Sequence, residues 1–411
     1  MNTSFYIARR LALNEKKTFS RFIIRLAILA VTLSVAVMII GSAITRGYQE
    51  VIQNKFYDCW GHIHITTFLP DPNNINSEEM IDYDSSFVAK IEKIPSVQSI
   101  NSYNIQSAIL KTKIDIEGLL LKGIDGRATK QSIENYLIEG QPIRFSDTTY
   151  SNEILISKST SSKLGLKIGD APILYFLIKN ELQPRARKIK IVGIYKTGLE
   201  DYDDNFAVCD AKLINHINQK NENSIHGYEV YIKDKTQRAA VESDIFEHYI
   251  QAPLQTYLID QRFENVFSWL GMMKMNEQII ILIMLIIAII NMVTALLILV
   301  IERTQMVGVL KSIGMRNFQI QKIFIFSSIY ILSIGLLFGT ILGISLCLAQ
   351  QKFGFLRLNE ATYYVKTVPI YLDPNIVLSI NLIAFIICSL LLLIPSLIVK
   401  TISPTKALKF N

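Results

Sequence analysis

Hydrophobic and polar positions are distributed very unevenly along this chain. Four windows carry almost no charge: residues 22–45, 279–301, 323–349 and 376–399. Each has at least 23 residues, and about 20 apolar residues cross a hydrocarbon core of about 30 Å as a helix. Between Ile279 and Ile301 only Asn291 and Thr294 are polar. The pattern predicts four transmembrane helices. The apolar core of the first, 26–45, is 20 residues long, beyond the roughly 7–15 of a signal-peptide core, so it is read as an uncleaved anchor.

Between the first two windows the period changes. The octet "GHIHITTF" (61–68) alternates, with Ile63 and Ile65 on one side and His62 and His64 on the other. A helix over 85–94, stopped by Pro95, and a strand from Val97 complete a βαβ unit. "GYEVYI" (227–232), a helix over 236–250 and "LQTYLI" (254–259) make a second. Two such halves, 46–116 and 222–260, predict one split ferredoxin-like α+β domain. Between them, 117–221 reads as a separate β-rich insertion carrying "GLLLKGI", "EILIS", "APILYFLI" and "RKIKIVGIY". In 261–278, Phe263, Val266, Phe267, Leu270 and Met273 share one helical face. This predicts a stalk continuous with the second spanning helix, unbroken at Lys274.

The link 302–322, "ERTQMVGVLKSIGMRNFQIQK", lies between the second and third windows. Met306, Val309, Leu310 and Ile313 form one helical stripe, Gly314 stands where a helix stops, and Asn317 can cap the next helix. A helix lying on lipid and a helix docked into a partner's groove both fit this stripe. Gly335, Gly339 and Gly343 repeat every fourth residue, a small-residue face that lets helices approach closely in lipid, within the chain or against a second subunit. Ala30 and Ser34 offer a weaker small face on the first helix.

Charge sets the orientation. The chain has 411 residues, 50% apolar, and a net charge of +7. Residues 1–25 with the link and the tail 400–411 hold Arg9, Arg10, Lys16, Lys17, Arg21, Arg25, Arg303, Lys311, Arg316, Lys322, Lys400, Lys406 and Lys409 against only Glu15 and Glu302. By the positive-inside rule both termini and the link are cytoplasmic, while 46–278 and the loop 350–375 lie outside. The basic balance therefore speaks of membrane orientation and not of nucleic acid.

Candidate chemistry is sparse. His62 and His64 have no acidic or cysteine cluster at ligand spacing, so no metal site is predicted. "EDYDDN" (200–205) lacks the spacing and central Gly of a calcium loop and reads as a solvated turn. No phosphate-binding G-x-x-x-x-G-K-[ST] occurs, and no catalytic constellation rises above chance. Cys59 and Cys209 lie in the external region, where an oxidising compartment would permit a disulfide; with no supporting spacing, two small buried thiols are the expected reading. The second to fourth windows contain no Asp, Glu, Lys, Arg or His. Ion-coupled carriers keep such groups at depth, so energy is expected to come from a partner.

Several segments resemble ABC permeases of the FtsX/MacB superfamily, in the form of the lipoprotein-releasing Lol permeases: "FYIARRLA", "GYQEVIQNKFYDCWGHIHI", "LLLKGID", "EILISKSTSSKLGLKIGD", "IKIVGIYKTGLEDYD", "IINMVTALLILVIERTQMVGVLKSIGM" and "ISPTKALK". The resemblance implies a four-helix permease with a split Porter-like periplasmic domain carrying an inserted Sabre-like domain. It implies a non-enzymatic inner-membrane subunit that binds no cofactor, ATP and magnesium residing on a cytoplasmic pair of ATPase subunits. The other implied partners are a second permease, in a homo- or heterodimer, a lipoprotein substrate and a periplasmic chaperone. Glu302, Arg303, Met306, Val309, Leu310 and Ile313 would form the ATPase-docking coupling helix. Lipid chains are expected near Val37, Ile40, Ile44, Phe267, Trp269 and Met273. A chaperone hook would lie at 176–190, here short and with Pro184 alone. Efflux permeases of the same superfamily usually carry a fused ATPase, for which the roughly 25 residues before the first helix leave no room. Divisome permeases that regulate cell-wall hydrolases usually have a smaller external domain.

Overall fold

The computed structural model describes residues 18–68, 79–112, 115–126, 133–146, 148–178 and 183–397. Most of the segment 1–21, the tail 400–411 and residues 180–182 of the expected hairpin tip lie outside them. The chain forms two compact units. One is helical and contains the chain up to Glu50, Leu270–Arg357 and everything from Thr367. The other is α+β and contains Val51–Trp269 with Leu358–Lys366.

The helical unit is built on four helices long and apolar enough to cross a membrane: Thr18–Trp60, Glu264–Glu302, Asn317–Phe353, and Pro374–Leu391 continued by Leu393–Ser396. The first has 43 residues, about 65 Å at 1.5 Å per residue and twice a hydrocarbon core. Residues 46–60, expected to open the α+β domain, therefore prolong this helix. They contain no Pro, and Ile52, Phe56 and Trp60 recur every fourth residue and are buried, which sustains a helix by packing. The second helix is unbroken through Gly271 and Lys274. It starts at Glu264 because Phe263, after the short helix Ile259–Arg262, leaves the helical region at φ −115° and ψ 46°.

The glycine repeat faces the first helix. A Cβ at Gly335 would lie 2.7 Å from Val31 Cγ1, at Gly339 2.8 Å from both the Thr32 carbonyl oxygen and Val35 Cβ, and at Gly343 3.1 Å from Ile39 Cβ. The opposing face is Val31, Val35 and Ile39, not the small face at Ala30 and Ser34. Branched side chains fill the depressions that glycines leave.

In the α+β unit the strands are β1 (Ile63–Thr67), β2 (Ile81–Asp82), β3 (Val97–Lys111), β4 (Ile116–Ile124), β5 (Leu137–Gly140), β6 (Glu153–Ser157), β7 (Ile173–Phe176), β8 (Arg185–Lys188), β9 (Lys190–Tyr195), β10 (Phe206–Asp210), β11 (Ser224–Ile225), β12 (Gly227–Ile232) and β13 (Leu254–Leu258). The order β13-β1-β12-β3, antiparallel throughout, is the split ferredoxin-like arrangement. Helices Ser85–Ile91 and Arg238–His248 cover one face, packing Val88, Ile91, Val241 and Ile245 on Ile63, Ile65, Ile100 and Val230.

The insertion is not a separate set of strands. β3 has 15 residues, and its far half pairs with β4 from Tyr103↔Ile124 to Lys111↔Ile116. From β4 the same sheet continues through β10, β6, β9 and β5, with the β7–β8 hairpin attached to β3. A second core, including Leu110, Leu121, Ile154, Ile156 and Ile214, forms on this extension. The segment 200–205 also departs from expectation. It is a helix, Glu200–Asn205, and Asp203 is buried, accepting from the Thr197 and Gly198 amides (3.0 Å each) and from Thr197 Oγ1 (2.8 Å).

Candidate functional site: the link helix and the helix seam

The link folds as the short helix Thr304–Ser312. Arg303 (φ −99°, ψ 19°) separates it from the second spanning helix, which ends at Glu302. Gly314 at φ +93° stops it, and the Met315 amide donates to the Leu310 carbonyl at 3.0 Å. Arg316, not Asn317, takes the capping position of the third spanning helix, and Gln319 Oε1 accepts from the Arg316 amide at 3.1 Å. Asn317 is the first helical residue.

The apolar stripe divides between two faces. Val307 is fully buried, and Met306 and Leu310 pack half-buried on the helical core. Val309 and Ile313 point outward, 44% and 77% exposed. Periodicity alone put all of Met306, Val309, Leu310 and Ile313 on one surface. The roll of the helix, set by Val307 entering the bundle, parts them.

Within the helical unit, the first and second spanning helices meet along a seam with polar contacts. Ser42 Oγ donates to Glu277 at 2.6 Å, Arg46 Nε lies 3.8 Å from the same carboxylate, and Gln49 Nε2 donates to the Leu270 carbonyl at 2.9 Å. Val37, Ile40, Ile44 and Met273 are half-buried in this unit. On the second helix Ile279, Ile280, Leu282, Ile283, Ile286, Ile287 and Ile290 are exposed, an apolar face suited to lipid. Phe267 and Trp269 belong to the α+β unit. Phe267 packs on Phe56 (5.8 Å) and Tyr57 (5.9 Å), and Trp269 lies edge-on to Tyr364 (6.4 Å). The six residues expected near lipid thus divide between the two units. Glu277 escapes a search for charge inside the windows because it lies two residues before the second one.

The histidines are structural. His64 Nε2 donates to the Trp60 carbonyl at 2.6 Å, and its Nδ1 faces Arg262 at 2.5 Å. Burial, then Arg262 and Lys122, hold it well below the usual histidine range. His62 Nδ1 accepts from the Ile232 amide at 3.2 Å, and burial holds its pKa at about 4. Among the described residues no metal-binding group of three ligands is assembled. Cys59 and Cys209 are free and buried, and burial pushes both thiols up.

Around His64 lies a charge network that the sequence reading missed. Lys122 Nζ sits 2.6 Å from Glu229 Oε1, 4.7 Å over the Trp60 ring, and donates to the Cys59 carbonyl at 2.5 Å. Lys122, Glu229 and Arg262 are all buried. Burial raises the Glu229 carboxyl against the pull of Lys122. The available signal was one charge inside each of two otherwise apolar or aromatic strands, "GLLLKGI" and "GYEVYI".

Residues 26–247, more than half of the chain, match the MacB-like periplasmic core domain, and residues 278–404 match the C-terminal domain of FtsX-like permeases. The chain belongs to this MacB/FtsX-like permease family. The permease is 22% identical to the lipoprotein-releasing system transmembrane protein LolC of Xylella fastidiosa strain Temecula1, over 98% of this chain and 97% of that protein. It is 24% identical to LolC of Buchnera aphidicola subsp. Schizaphis graminum, over 91% and 90%. It is 22% identical to the lipoprotein-releasing system transmembrane protein LolE of Haemophilus influenzae, over 86% and 84%. The family resemblance carried by residues 289–315 and the other quoted segments is therefore borne out. The protein is an ABC-type permease with four transmembrane helices and a large periplasmic-type α+β domain.

Proposed function

We propose that this permease is the membrane subunit of an ATP-driven transporter that lifts lipoproteins from the outer leaflet of an inner membrane and passes them to a periplasmic carrier. ATP and magnesium bind a separate pair of ATPase subunits, and a second permease, a copy or a relative, completes the assembly. Both termini and the link face the cytoplasm, and the α+β unit faces the periplasm. Residues 61–116 and 222–260 act as the Porter-like domain once 46–60 are assigned to the first long helix, 117–221 as the Sabre-like extension, and 261–278 as the stalk. The ATPase docks on the link helix, and its motion reaches the stalks through the spanning helices. Lipid chains bind near Val37, Ile40, Ile44 and Met273 in the helical unit and near Phe267 and Trp269 in the α+β unit. Full-length relatives named for lipoprotein release support this cargo.

The observation that carries the reading is the link helix itself. Its inner face is anchored by Val307 while Val309 and Ile313 stay exposed. Exposed apolar residues on a cytoplasmic helix fit a partner groove. The test is Val309→Asp with Ile313→Asp in the full complex. Loss of ATPase co-purification and of lipoprotein release from reconstituted vesicles, with the permease still folded, is expected. Normal binding and release would sink the docking role. Leu310→Asp is a poor probe, because it would bury a carboxylate in the bundle. Photocrosslinkers at Val37, Ile40 and Ile44 should capture lipoprotein acyl chains; capture of hydrolases by the periplasmic unit, without lipoprotein, would replace this cargo.

A further inference from the structure

The loop joining the third and fourth spanning helices is built as a plug on a stiff neck. Its neck is an antiparallel ladder: the Val368 amide donates to the Leu356 carbonyl (3.1 Å), Arg357 bridges Thr367, and the Leu358 amide donates to the Lys366 carbonyl (2.9 Å). Gln350, in the last turn of the third helix, clamps the root of the neck. Its Nε2 donates to the carbonyls of Leu356 (3.2 Å) and Val368 (3.3 Å), and its Oε1 accepts from the Leu356 amide (3.0 Å). The neck is thus hydrogen-bonded into the helix end.

The tip, Leu358–Lys366, belongs to the α+β unit. It carries the short helix Glu360–Tyr363 and then Tyr364 at φ +60°, a left-handed conformation that costs a tyrosine free energy unless its surroundings hold it. Those surroundings are specific. Glu360 Oε2 accepts from Lys196 Nζ at 2.5 Å, Lys55 Nζ donates to the Tyr364 carbonyl at 2.7 Å, and Trp269 meets the Tyr364 ring. Gly198, at φ +73°, leaves the space that the tip fills. A Cβ there would come within 2.7 Å of Lys55 Nζ, 3.1 Å of Glu360 Oε1 and 3.3 Å of the Tyr364 carbonyl oxygen. Three separate parts of the chain therefore make one socket: Lys55 from the first long helix, Lys196 and Gly198 after β9, and Trp269 from the second long helix.

We propose that this tip is a tether that ties the ends of the third and fourth spanning helices to the α+β unit, with Glu360 and Tyr364 as its positioning residues and Lys55, Lys196, Gly198 and Trp269 as the socket. The functional part rests on the transport reading above: motion started at the link helix, which precedes the third spanning helix, reaches the α+β unit through this loop as well as through the two long helices. Neither Glu360 nor Tyr364 needs to touch cargo for this.

A double-mutant cycle in the full ATPase–permease complex tests it. Lys196→Met, Glu360→Gln and their combination are compared by amide hydrogen exchange of residues 358–366 and by lipoprotein released per ATP hydrolysed. Either single change should speed exchange at the tip about tenfold, the scale of a lost charged hydrogen bond. The double should be no faster than the worse single, because both remove the same contact. Gly198→Ala should release the tip in the same way without altering a charge. Release per ATP should fall about fivefold in each case, with ATP hydrolysis retained. Unchanged exchange at 358–366, or additive effects in the double, overturns the tether. Loosened tips with undiminished release per ATP overturn its role in coupling. A wild-type complex that never releases lipoprotein would instead refute the transport reading, and the exchange measurements would still decide whether the tip is held.

Discussion

A single methyl group tests how the first and third spanning helices are held together. At Gly339 the added Cβ would stand 2.8 Å from the Thr32 carbonyl oxygen and 2.8 Å from Val35 Cβ, where ordinary contact begins at 3.4 Å. Both obstacles are stiff, one being backbone and the other the branch point of a valine. The helices must part by about half an ångström, and overpacking of this kind costs about 1–3 kcal/mol. Alanine also gains about 1 kcal/mol of helix propensity over glycine, which would obscure the strain if measured alone. Gly271 supplies the control. It lies inside the second long helix, and a Cβ there meets nothing within 4 Å. The propensity gain is common to both substitutions, so the difference between Gly271→Ala and Gly339→Ala isolates the strain. Gly271→Ala should be neutral to stabilising, and Gly339→Ala should fall about 1–3 kcal/mol below it. Gly343→Ala, with its nearest contact at 3.1 Å, should fall between them. Denaturant titration of the purified permease in micelles, followed by helical circular dichroism, measures this. Equal stability for the 271 and 339 variants would refute the packing of the glycine face on the first helix.

Other outcomes follow from the α+β unit. Lys122→Met should cost about 3–5 kcal/mol, because it strands the buried Glu229 carboxylate, while Lys122→Met with Glu229→Gln should recover most of it. Urea unfolding followed by the fluorescence of Trp60 and Trp269, both in the α+β unit, measures this, and a double variant no better than the single would remove the pairing argument. Burial holds His226 at about 4, below its ordinary 6.5. The unfolded chain binds this proton first as pH falls, so the stability contribution is present above pH 6.5 and is lost on descent toward pH 4. The stability margin of wild type over His226→Asn should therefore shrink between those values, and a constant margin would contradict it.

The spanning helices were legible because their signal is compositional. A window such as 279–301 needs no partner to declare itself. The ferredoxin-like half was legible too, since Ile63/Ile65 alternation and the Pro95 stop are local. The joining of the two β regions was not. Nothing near 97–111 marks one strand serving two sheet halves; that is decided by β4 and β12 pairing at its opposite ends. The link helix shows an intermediate case. Its period was readable, but its roll depends on Val307 finding the bundle, a contact made with distant residues. The extension of the first helix to Trp60 was within reach, had Ile52, Phe56 and Trp60 been read as a helical stripe.

Lys122, Glu229 and Arg262, buried charges of the α+β unit, lie where helix ends meet the sheet. Inside the α+β unit, Lys122 and His64 contact the carbonyls of Cys59 and Trp60, the last residues of the first long helix, and Arg262 stands just before the second. A buried ion pair contributes little net stability over an apolar equivalent, and its desolvation is offset only in a narrow geometry. An apolar contact tolerates a helix end rolling by several degrees; a Lys122–Glu229–His64–Arg262 network does not, since each shift leaves a buried charge or ring nitrogen without its partner. The network therefore fixes how two helix ends meet the sheet. The same logic accounts for charge-free second to fourth windows beside Lys196–Glu360 on the loop tip. Polar contacts mark the places where one element holds another in a single orientation, and apolar surfaces cover the spanning helices where they face outward.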